Sequence, residues 1–358
     1  MDTDKLTNDS TGTTNWFTTI PIHLRISTTA SSGRGLYVAP NCRLQRGQVA
    51  LSTCPTAVCI SARHSNFTCA CCLGRNASPE FPEEPVPCKL RCRICKSASW
   101  CSKACKTQSK ARHAVECPLL ARLAHTTNRH IKREEREHIV ILASTLASLG
   151  SGSDVNGSSQ RTNTEGERMW LQEIHSLVEQ DWGKPGSKKC RRVMQDAATK
   201  VHSWGGAEMN CPCAMHLQHA LRTGPMNDVG LWDERGESIG RCVAPIFALT
   251  NHSCLPNCAQ IISNGNVQLI ALCDIESGEE LTHSYVNLNV CDREQTMLRS
   301  WQFKCRCIRC HTPLSPLVST FDTKHLCRCG GVVLERRYVD PNKTPREEEC
   351  QCNMLQML

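Results

Sequence analysis

Short runs of alternating apolar and polar residues towards both ends of the chain indicate β-strands. Near the N-terminus, the segments PIHLRISTTASSGRGLYVA (21–39) and GQVALS (47–52) contain apolar runs that are broken by Gly and Ser. Further along, NVQLIALCDI (266–275) alternates in character and is followed after a glycine turn by ELTHSYV (280–286). Because side chains of a strand alternate between two faces, these segments predict short strands. The last two segments predict two strands that are joined by a turn.

The middle of the chain shows helical periodicity instead. The stretch 119–149 has apolar residues at helical spacing around a charged centre, which predicts two helices. Helix is also predicted at 167–180 and at 188–201, whereas the Gly-, Ser- and Asn-rich stretch 150–167 predicts a flexible loop. Most of 183–240 beyond the second helix stays unassigned. Short strands with a helical insert predict an α+β fold.

Cysteine content changes this picture, because 27 cysteines occur in 358 residues and many fall in tight pairs. Such clustering is typical of metal ligands rather than of disulfides. The N-terminus is polar without the order of a secretory signal, and nowhere do eighteen apolar residues run together. We therefore expect a soluble protein of the nucleus or cytoplasm, with no membrane segment and with free thiols.

Positive charge is concentrated around these pairs. The formal net charge is +8, and the segment 88–136 alone contains thirteen Lys or Arg against three Glu and no Asp. A basic surface attracts nucleic acid or an acidic protein partner. The alternative interpretation is that this charge only solvates a small metal module.

Four ordered pairs of ligand residues lie in the first metal region. They are Cys69 with Cys72, Cys92 with Cys95, Cys101 with Cys105, and His113 with Cys117. Zinc takes four N or S ligands in a tetrahedron, so eight ligands predict two closed sites that are structural and leave no open position for a catalytic water. The additional Cys71 and Cys88 are either alternative ligands or buried free thiols.

This region, 69–117, resembles the MYND zinc finger. The resemblance implies interleaved pairs, in which Cys69, Cys72, Cys101 and Cys105 bind one ion and Cys92, Cys95, His113 and Cys117 bind the other. It also implies that the finger binds proteins, often proline-rich peptides, with contact to nucleic acid sometimes proposed.

A second constellation resembles the core of a SET domain. It consists of FALTNHSCLPNC (247–258), GEELTHSYV (278–286) and FKCRCIRC (303–310), with GRGLY (33–37) resembling the N-terminal SET motif. The resemblance implies that S-adenosylmethionine is the methyl donor and that the protein is a protein-lysine N-methyltransferase acting on a histone or another protein. Tyr285 would then be catalytic, and the donor-binding residues would be Gly33, Arg34, Gly35, Asn251, His252, Tyr285 and Phe303. The plain alternatives are a capped turn at Asn251 and His252 and a half-buried strand tyrosine at Tyr285.

Further cysteines extend the metal prediction. By the same resemblance, a third zinc would be bound by Cys254, Cys305, Cys307 and Cys310. A fourth is possible at the tighter pairs Cys327, Cys329, Cys350 and Cys352.

The order of these segments is the signature of the SET and MYND (SMYD) family, and the short, cysteine-rich C-terminal part resembles its SmydA-like branch. The predicted organisation is a disordered N-terminus (1–16), the first part of a split SET domain (17–68), the finger (69–117), a helical insert (118–240), the SET core (241–290) and a post-SET region (291–358). Trp301 occupies the position of a family tyrosine. That departure motivates the alternative of a weakly active SET protein that serves as a transcriptional adaptor through its finger.

Overall fold

A computed structural model describes residues 20–29, 33–76, 84–126, 131–150, 187–205, 214–233, 237–286, 293–307 and 310. Its strands are β1 (Leu24–Thr29), β2 (Gly33–Val38), β3 (Val49–Thr53), β4 (Ala57–Ile60), β5 (Leu90–Arg91), β6 (Ser99–Trp100), β7 (Asp228–Trp232), β8 (Ser238–Val243), β9 (Asn251–His252), β10 (Cys258–Ser263), β11 (Asn266–Ala271) and β12 (Thr282–His283). Its α-helices are α1 (Lys103–Gln108), α2 (Lys110–His125), α3 (Arg133–Gly150), α4 (Ser187–Gly205), α5 (Ala214–Asn227) and α6 (Arg293–Ser300), and a 3-10 turn spans Phe247–Leu249. The predicted α+β class is confirmed.

Small antiparallel sheets form the strand-rich part. β1 pairs with β2, β11 lies between β10 and β3, and β8 lies between β4 and β7. β3 and β4 thus pair with strands from the far end of the chain, with Leu51 opposite Leu269 and Ala57 opposite Val243. These pairings join the two predicted parts of the split SET domain, 17–68 and 241–290, into one body.

The helices pack mainly against one another, and α3 also contacts β4. The two helices expected within 119–149 are confirmed as α2 and α3, and the expected helix at 188–201 lies within α4. Leu119, Leu142 and Leu217 are fully buried in one apolar core that also includes Trp100 of the finger. A second core lies inside the sheets, and its largest fully buried side chains are Leu36, Leu44, Leu51, Leu231, Ile239 and Phe247.

Two parts of the sequence prediction differ from the structure. The segment left unassigned contains α5, β7 and β8, because α5 continues through Gly224 and Pro225, which interrupt the helical pattern. The strand expected over 280–286 is only two residues long, and it pairs in parallel with β9 rather than with β11.

Several predictions fall outside the described residues. These are the disordered N-terminus, the loop at 150–167 apart from Gly150, the helix at 167–180 and the fourth cysteine group. Within the described part of the chain, no helix combines the length and the apolar character that crossing a bilayer requires.

Candidate active site and metal centres

The first two ligand sets lie in the finger, with the interleaving that the resemblance implied. Each set has its four ligand atoms within 4.8 Å of one another, and the sets are Cys69, Cys72, Cys101 and Cys105, and Cys92, Cys95, His113 and Cys117. Sulfurs bound tetrahedrally at about 2.3 Å from a zinc ion lie roughly 3.8 Å apart. The distances of 3.8 Å between the Cys72 and Cys101 sulfurs and 3.7 Å between those of Cys92 and Cys117 fit this value. The donor sets therefore fit zinc.

Local backbone geometry explains how the paired cysteines converge. Leu73 and Lys96, each directly after the second cysteine of a pair, adopt left-handed φ values of 59° and 56°. A left-handed residue reverses the chain abruptly, so both sulfurs of a pair can face one point. At the start of α1, the Ser102 hydroxyl accepts a hydrogen bond from the Cys105 amide (3.1 Å) and orients the helix that carries this ligand.

Two further thiols adjoin the first set but do not belong to it. Burial raises the pKa of the Cys71 thiol to about 12 and that of Cys88 to about 11, with the surrounding thiols adding to both effects. Both side chains therefore remain neutral thiols near pH 7.

The finger is docked on the strand-rich body through the first ligand set. Gly265, at the tip of the β10–β11 hairpin, donates its amide to the Cys72 carbonyl (2.9 Å). A Cβ at Gly265 would lie 2.6 Å from the Cys71 carbonyl oxygen, and its φ of +84° also favours glycine. Beside this contact, Arg75 forms a buried ion pair with Asp233.

The third ligand set joins two distant segments. Cys254 follows β9, whereas Cys305, Cys307 and Cys310 follow α6. The Cys254 sulfur lies 3.9 Å from that of Cys305 and 3.5 Å from that of Cys310, again near the tetrahedral spacing. A metal ion here would fix the 250–254 segment against the C-terminal segment.

One group of the predicted donor-binding residues meets at β2. The segment 278–281 runs along β2, where the Leu281 amide donates to the Leu36 carbonyl (2.8 Å). The Asn251 side-chain amide donates to the Arg34 carbonyl (3.0 Å) and to the Glu280 carboxylate (2.6 Å). A Cβ at Gly35 would lie only 2.4 Å from that carboxylate oxygen, so the arrangement requires glycine.

The second group surrounds Tyr285. Its hydroxyl donates to the Thr250 carbonyl (2.8 Å), and its amide donates to Nδ1 of His252 (3.1 Å). The Tyr285 ring lies 5.3 Å from that of Trp301 and 6.4 Å from that of Phe303, measured between centroids. Burial and the nearby Glu280 carboxylate raise the pKa of Tyr285, so it stays a neutral hydroxyl.

A cavity opens beside Tyr285 on the side of β7. It encloses about 380 Å³ of empty space, including the part open to solvent. Its walls include the rings of Tyr285, Trp301, Trp232 and Phe247.

Residues that line this cavity also carry buried polar atoms without a hydrogen-bond partner among the described residues. These atoms are Asp228 Oδ1, Thr250 Oγ1 and His283 Nδ1. Burial, with a contribution from His252, lowers the pKa of His283 to about 3, so its ring is neutral. The cavity therefore combines aromatic walls with polar atoms that are available to a ligand.

The structure brings most, but not all, of the predicted residues together. Arg34, Gly35 and Asn251 form one contact group, and His252, Tyr285 and Phe303 form the adjoining one. Gly33 begins β2 with a φ of +72°, and among the described residues no atom lies within 4 Å of the position of its Cβ.

Sequence reasoning overlooked some residues at the site. Glu280 was within a quoted motif but had no assigned role, and Asp228 and Trp232 belong to the segment without a prediction. The cavity residues offered no local signal, because they come from strands that are distant in sequence.

Comparison with known proteins agrees with this geometry. The SET domain family model matches residues 35–286. Human "Histone-lysine N-methyltransferase SMYD1" is 27% identical over 272 residues, covering 70% of this chain and 48% of the human protein. Human "Histone-lysine N-methyltransferase SMYD3" is 24% identical, covering 82% of this chain and 62% of that protein. A SET and MYND domain-containing protein of Dictyostelium discoideum is 34% identical over 87 residues, covering 24% of this chain and 22% of its own.

The chain thus spans about half the length of the curated relatives that it matches. Among solved structures, a SET domain of LSMT bound to lysine and AdoHcy has a TM-score of 0.39 at 11% identity, covering 80% of this chain and 53% of that one. The family model covers more than half of the chain. The chain therefore belongs to the SET domain family, and its relatives place it among the SET and MYND domain proteins.

Proposed function

We propose that the protein transfers the methyl group of S-adenosylmethionine to a lysine of another protein. The observation that carries this proposal is the double anchoring of Tyr285 at the wall of the aromatic cavity, through its amide to His252 and through its hydroxyl to the Thr250 carbonyl. Relatives whose names state histone-lysine or lysine methyltransferase activity support the same reaction.

The residues around Asn251 suit the donor. The Glu280 carboxylate and the Asn251 amide supply polar atoms for its amino acid part, and the absence of a side chain at Gly35 leaves room for both of these groups. The rings of Tyr285, Phe303 and Trp301 suit the positive sulfonium, since cations are attracted to aromatic faces. When bound, the donor supplies an electrophilic methyl group.

The hydrogen-bonding roles of the Tyr285 hydroxyl are fixed by its contact with Thr250. Its single proton is given to the Thr250 carbonyl, so the lone pairs of the oxygen remain as acceptors. Such an acceptor can orient an amine N–H for in-line attack. Because its pKa is raised, Tyr285 acts as a neutral hydrogen-bond partner and leaves removal of the lysine proton to solvent.

The cavity beside Tyr285 is suited to the substrate side chain. Aromatic walls favour the methylene groups of a lysine, and the polar atoms of Asp228, Thr250 and His283 that lack a partner among the described residues offer hydrogen-bond partners to its amine. Trp301 contributes a wall here but offers only an N–H donor in place of a second hydroxyl.

Donor binding and methyl transfer test the proposal together. Calorimetric titration with S-adenosylmethionine should show one site per chain, and labelled donor should methylate histones or proteins of a lysate. Tyr285→Phe should lower the turnover, because it removes the hydroxyl that is anchored on the Thr250 carbonyl. Absence of donor binding, or wild-type turnover in Tyr285→Phe, would refute the mechanism.

A second role is supported by the surface of the finger. From residue 88 to 110, Lys89, Arg91, Arg93, Lys96, Lys103, Lys106 and Lys110 are exposed, and this stretch contains no acidic residue. Ile94 is 65% exposed among them. We propose that this surface recruits an acidic protein partner, which gives the adaptor function if methyl transfer is weak.

Nucleic acid is the competing ligand of this surface. Binding of DNA that weakens steeply with salt would favour nucleic acid, whereas capture of acidic peptides alone would favour a protein partner. The described cysteines form no disulfide, which suits residence in the nucleus or cytoplasm.

A further inference from the structure

His252 connects the third ligand set with Tyr285 through its two ring nitrogens. Its Nδ1 lies 3.1 Å from the Tyr285 amide nitrogen, and its Nε2 lies 3.2 Å from the Cys254 sulfur. Its ring also packs 5.2 Å from that of Tyr285 and 6.1 Å from that of Phe303. Both ring nitrogens are therefore engaged within the protein.

These two contacts fix the tautomer of the ring. An amide N–H can only donate, so Nδ1 must carry a lone pair, and the proton of a neutral imidazole then resides on Nε2. This N–H points at the sulfur of Cys254. A cysteine that binds metal is a thiolate and hence an acceptor, so Nε2–H donates to the ligand sulfur.

We propose that His252 is a positioning residue that transmits the placement of the third metal cluster to Tyr285. The effect of His252 on catalysis depends on the proposed function, whereas the two hydrogen bonds from which its role is inferred do not. Binding of an ion fixes the Cys254 sulfur against Cys305, Cys307 and Cys310, the sulfur orients the imidazole, and the imidazole holds the Tyr285 amide. Since the Tyr285 hydroxyl is anchored on Thr250, both anchors of the tyrosine come from the 250–254 segment.

Three substitutions separate the two contacts. His252→Phe keeps a ring but removes both. The Asn side chain places an oxygen where Nδ1 lies and is too short to reach the sulfur, so His252→Asn keeps only the contact with Tyr285. His252→Gln places an amide donor near the position of Nε2, so it keeps only the contact with Cys254. His202→Phe, on the exposed side of α4, is the control.

The experiment measures zinc release and the Tyr285 amide in the zinc-loaded full chain. The chain has 3 tyrosines, so labelling them with ¹⁵N gives three backbone amide signals, and the Tyr285→Phe spectrum identifies the one of interest. Zinc release to a chromogenic chelator reports the metal clusters separately from activity. Loss of an outer hydrogen bond to a ligand typically weakens metal binding by about 10- to 100-fold.

We expect His252→Phe to release one zinc equivalent about 10- to 100-fold faster and to shift the Tyr285 signal while the Tyr37 signal stays. His252→Asn should accelerate release with little change of the Tyr285 signal, and His252→Gln should do the reverse. Unchanged release and an unchanged Tyr285 signal in all three variants would overturn the proposal. If His252→Phe does not fold, the Asn and Gln variants still decide.

Turnover adds a readout that distinguishes this proposal from the proposed function. With an active chain, His252→Gln should lower kcat more than it raises KM for the donor, because Tyr285 is displaced while donor contacts persist. A chain without any methyl transfer would refute the proposed function, whereas the zinc and amide measurements would still support or overturn the role of His252.

Discussion

Gly35→Ala is the substitution whose effect follows most directly from the geometry. The new Cβ would lie 2.4 Å from the Glu280 carboxylate oxygen and 2.9 Å from the Asn251 side-chain nitrogen. Ordinary contact distances are about 3.5 Å or more, so the carboxylate has to retreat by roughly 1 Å. The 2.6 Å hydrogen bond between Asn251 and Glu280 would then be lost.

The magnitude follows from the type of bond. A hydrogen bond to a charged group contributes about 1.5–3 kcal/mol, which corresponds to roughly ten- to hundredfold in an equilibrium constant. Because Asn251 and Glu280 form the proposed donor site, we expect Gly35→Ala to lower the affinity for S-adenosylmethionine by that factor. A calorimetric titration measures this affinity.

A matched glycine provides the control. Gly47 has a φ of +83°, and no described atom lies within 4 Å of its potential Cβ. Gly47→Ala therefore introduces backbone strain of about 1–2 kcal/mol without any collision at the site. It should lower the midpoint of thermal unfolding and leave donor affinity unchanged. Wild-type donor affinity in Gly35→Ala, or equal loss of affinity in both variants, would refute the reasoning.

Three further predictions concern buried groups. Asp228→Ala removes the ion pair of the partly buried Arg241 and should lower the free energy of unfolding in urea by about 1.5–3 kcal/mol. Adding Arg241→Leu should recover much of the loss, and an equally unstable double variant would contradict this. Burial and the Arg241 charge lower the pKa of His138 to about 3, so the unfolded chain alone binds this proton between about pH 6.5 and 3, and stability falls as the pH falls through that window. His138→Gln should reduce the pH dependence of stability only in part, because the pKa of His283 is also lowered to about 3. An unchanged slope of the free energy of unfolding against pH would contradict this prediction. The raised pKa of Tyr285 predicts that this residue does not ionise near pH 10 while the protein stays folded. The tyrosinate absorbance of the wild-type protein at that pH should therefore equal that of Tyr285→Phe.

The sequence predicted best those features that depend on residues close together in the chain. The ligands of the finger are paired within a few residues and zinc demands four of them, so spacing restricts the choice. Strands such as β11 were also predictable, because Val267 and Leu269 alternate with Gln268 and are buried while it is not.

Long-range pairings were less accessible. No periodicity indicates that Thr282 and His283 pair in parallel with Asn251 and His252, because that register depends on the tertiary fold. The helix α5 was missed because Pro225 lies inside its last turn, and tertiary packing overrides the local preference there. The cavity residue Asp228 was consequently missed with it.

The pairing of early strands with late ones imposes an order on assembly during synthesis. β4 cannot complete its sheet until β8 has left the ribosome, because Ala57 pairs with Val243. The finger between them draws all eight ligands from residues 69–117 and can acquire its ions first, as a unit that folds with its metal. The third ligand set needs Cys310 and therefore forms after the finger. Loading of its ion marks the moment at which a nascent chain completes the proposed methyl-transfer site.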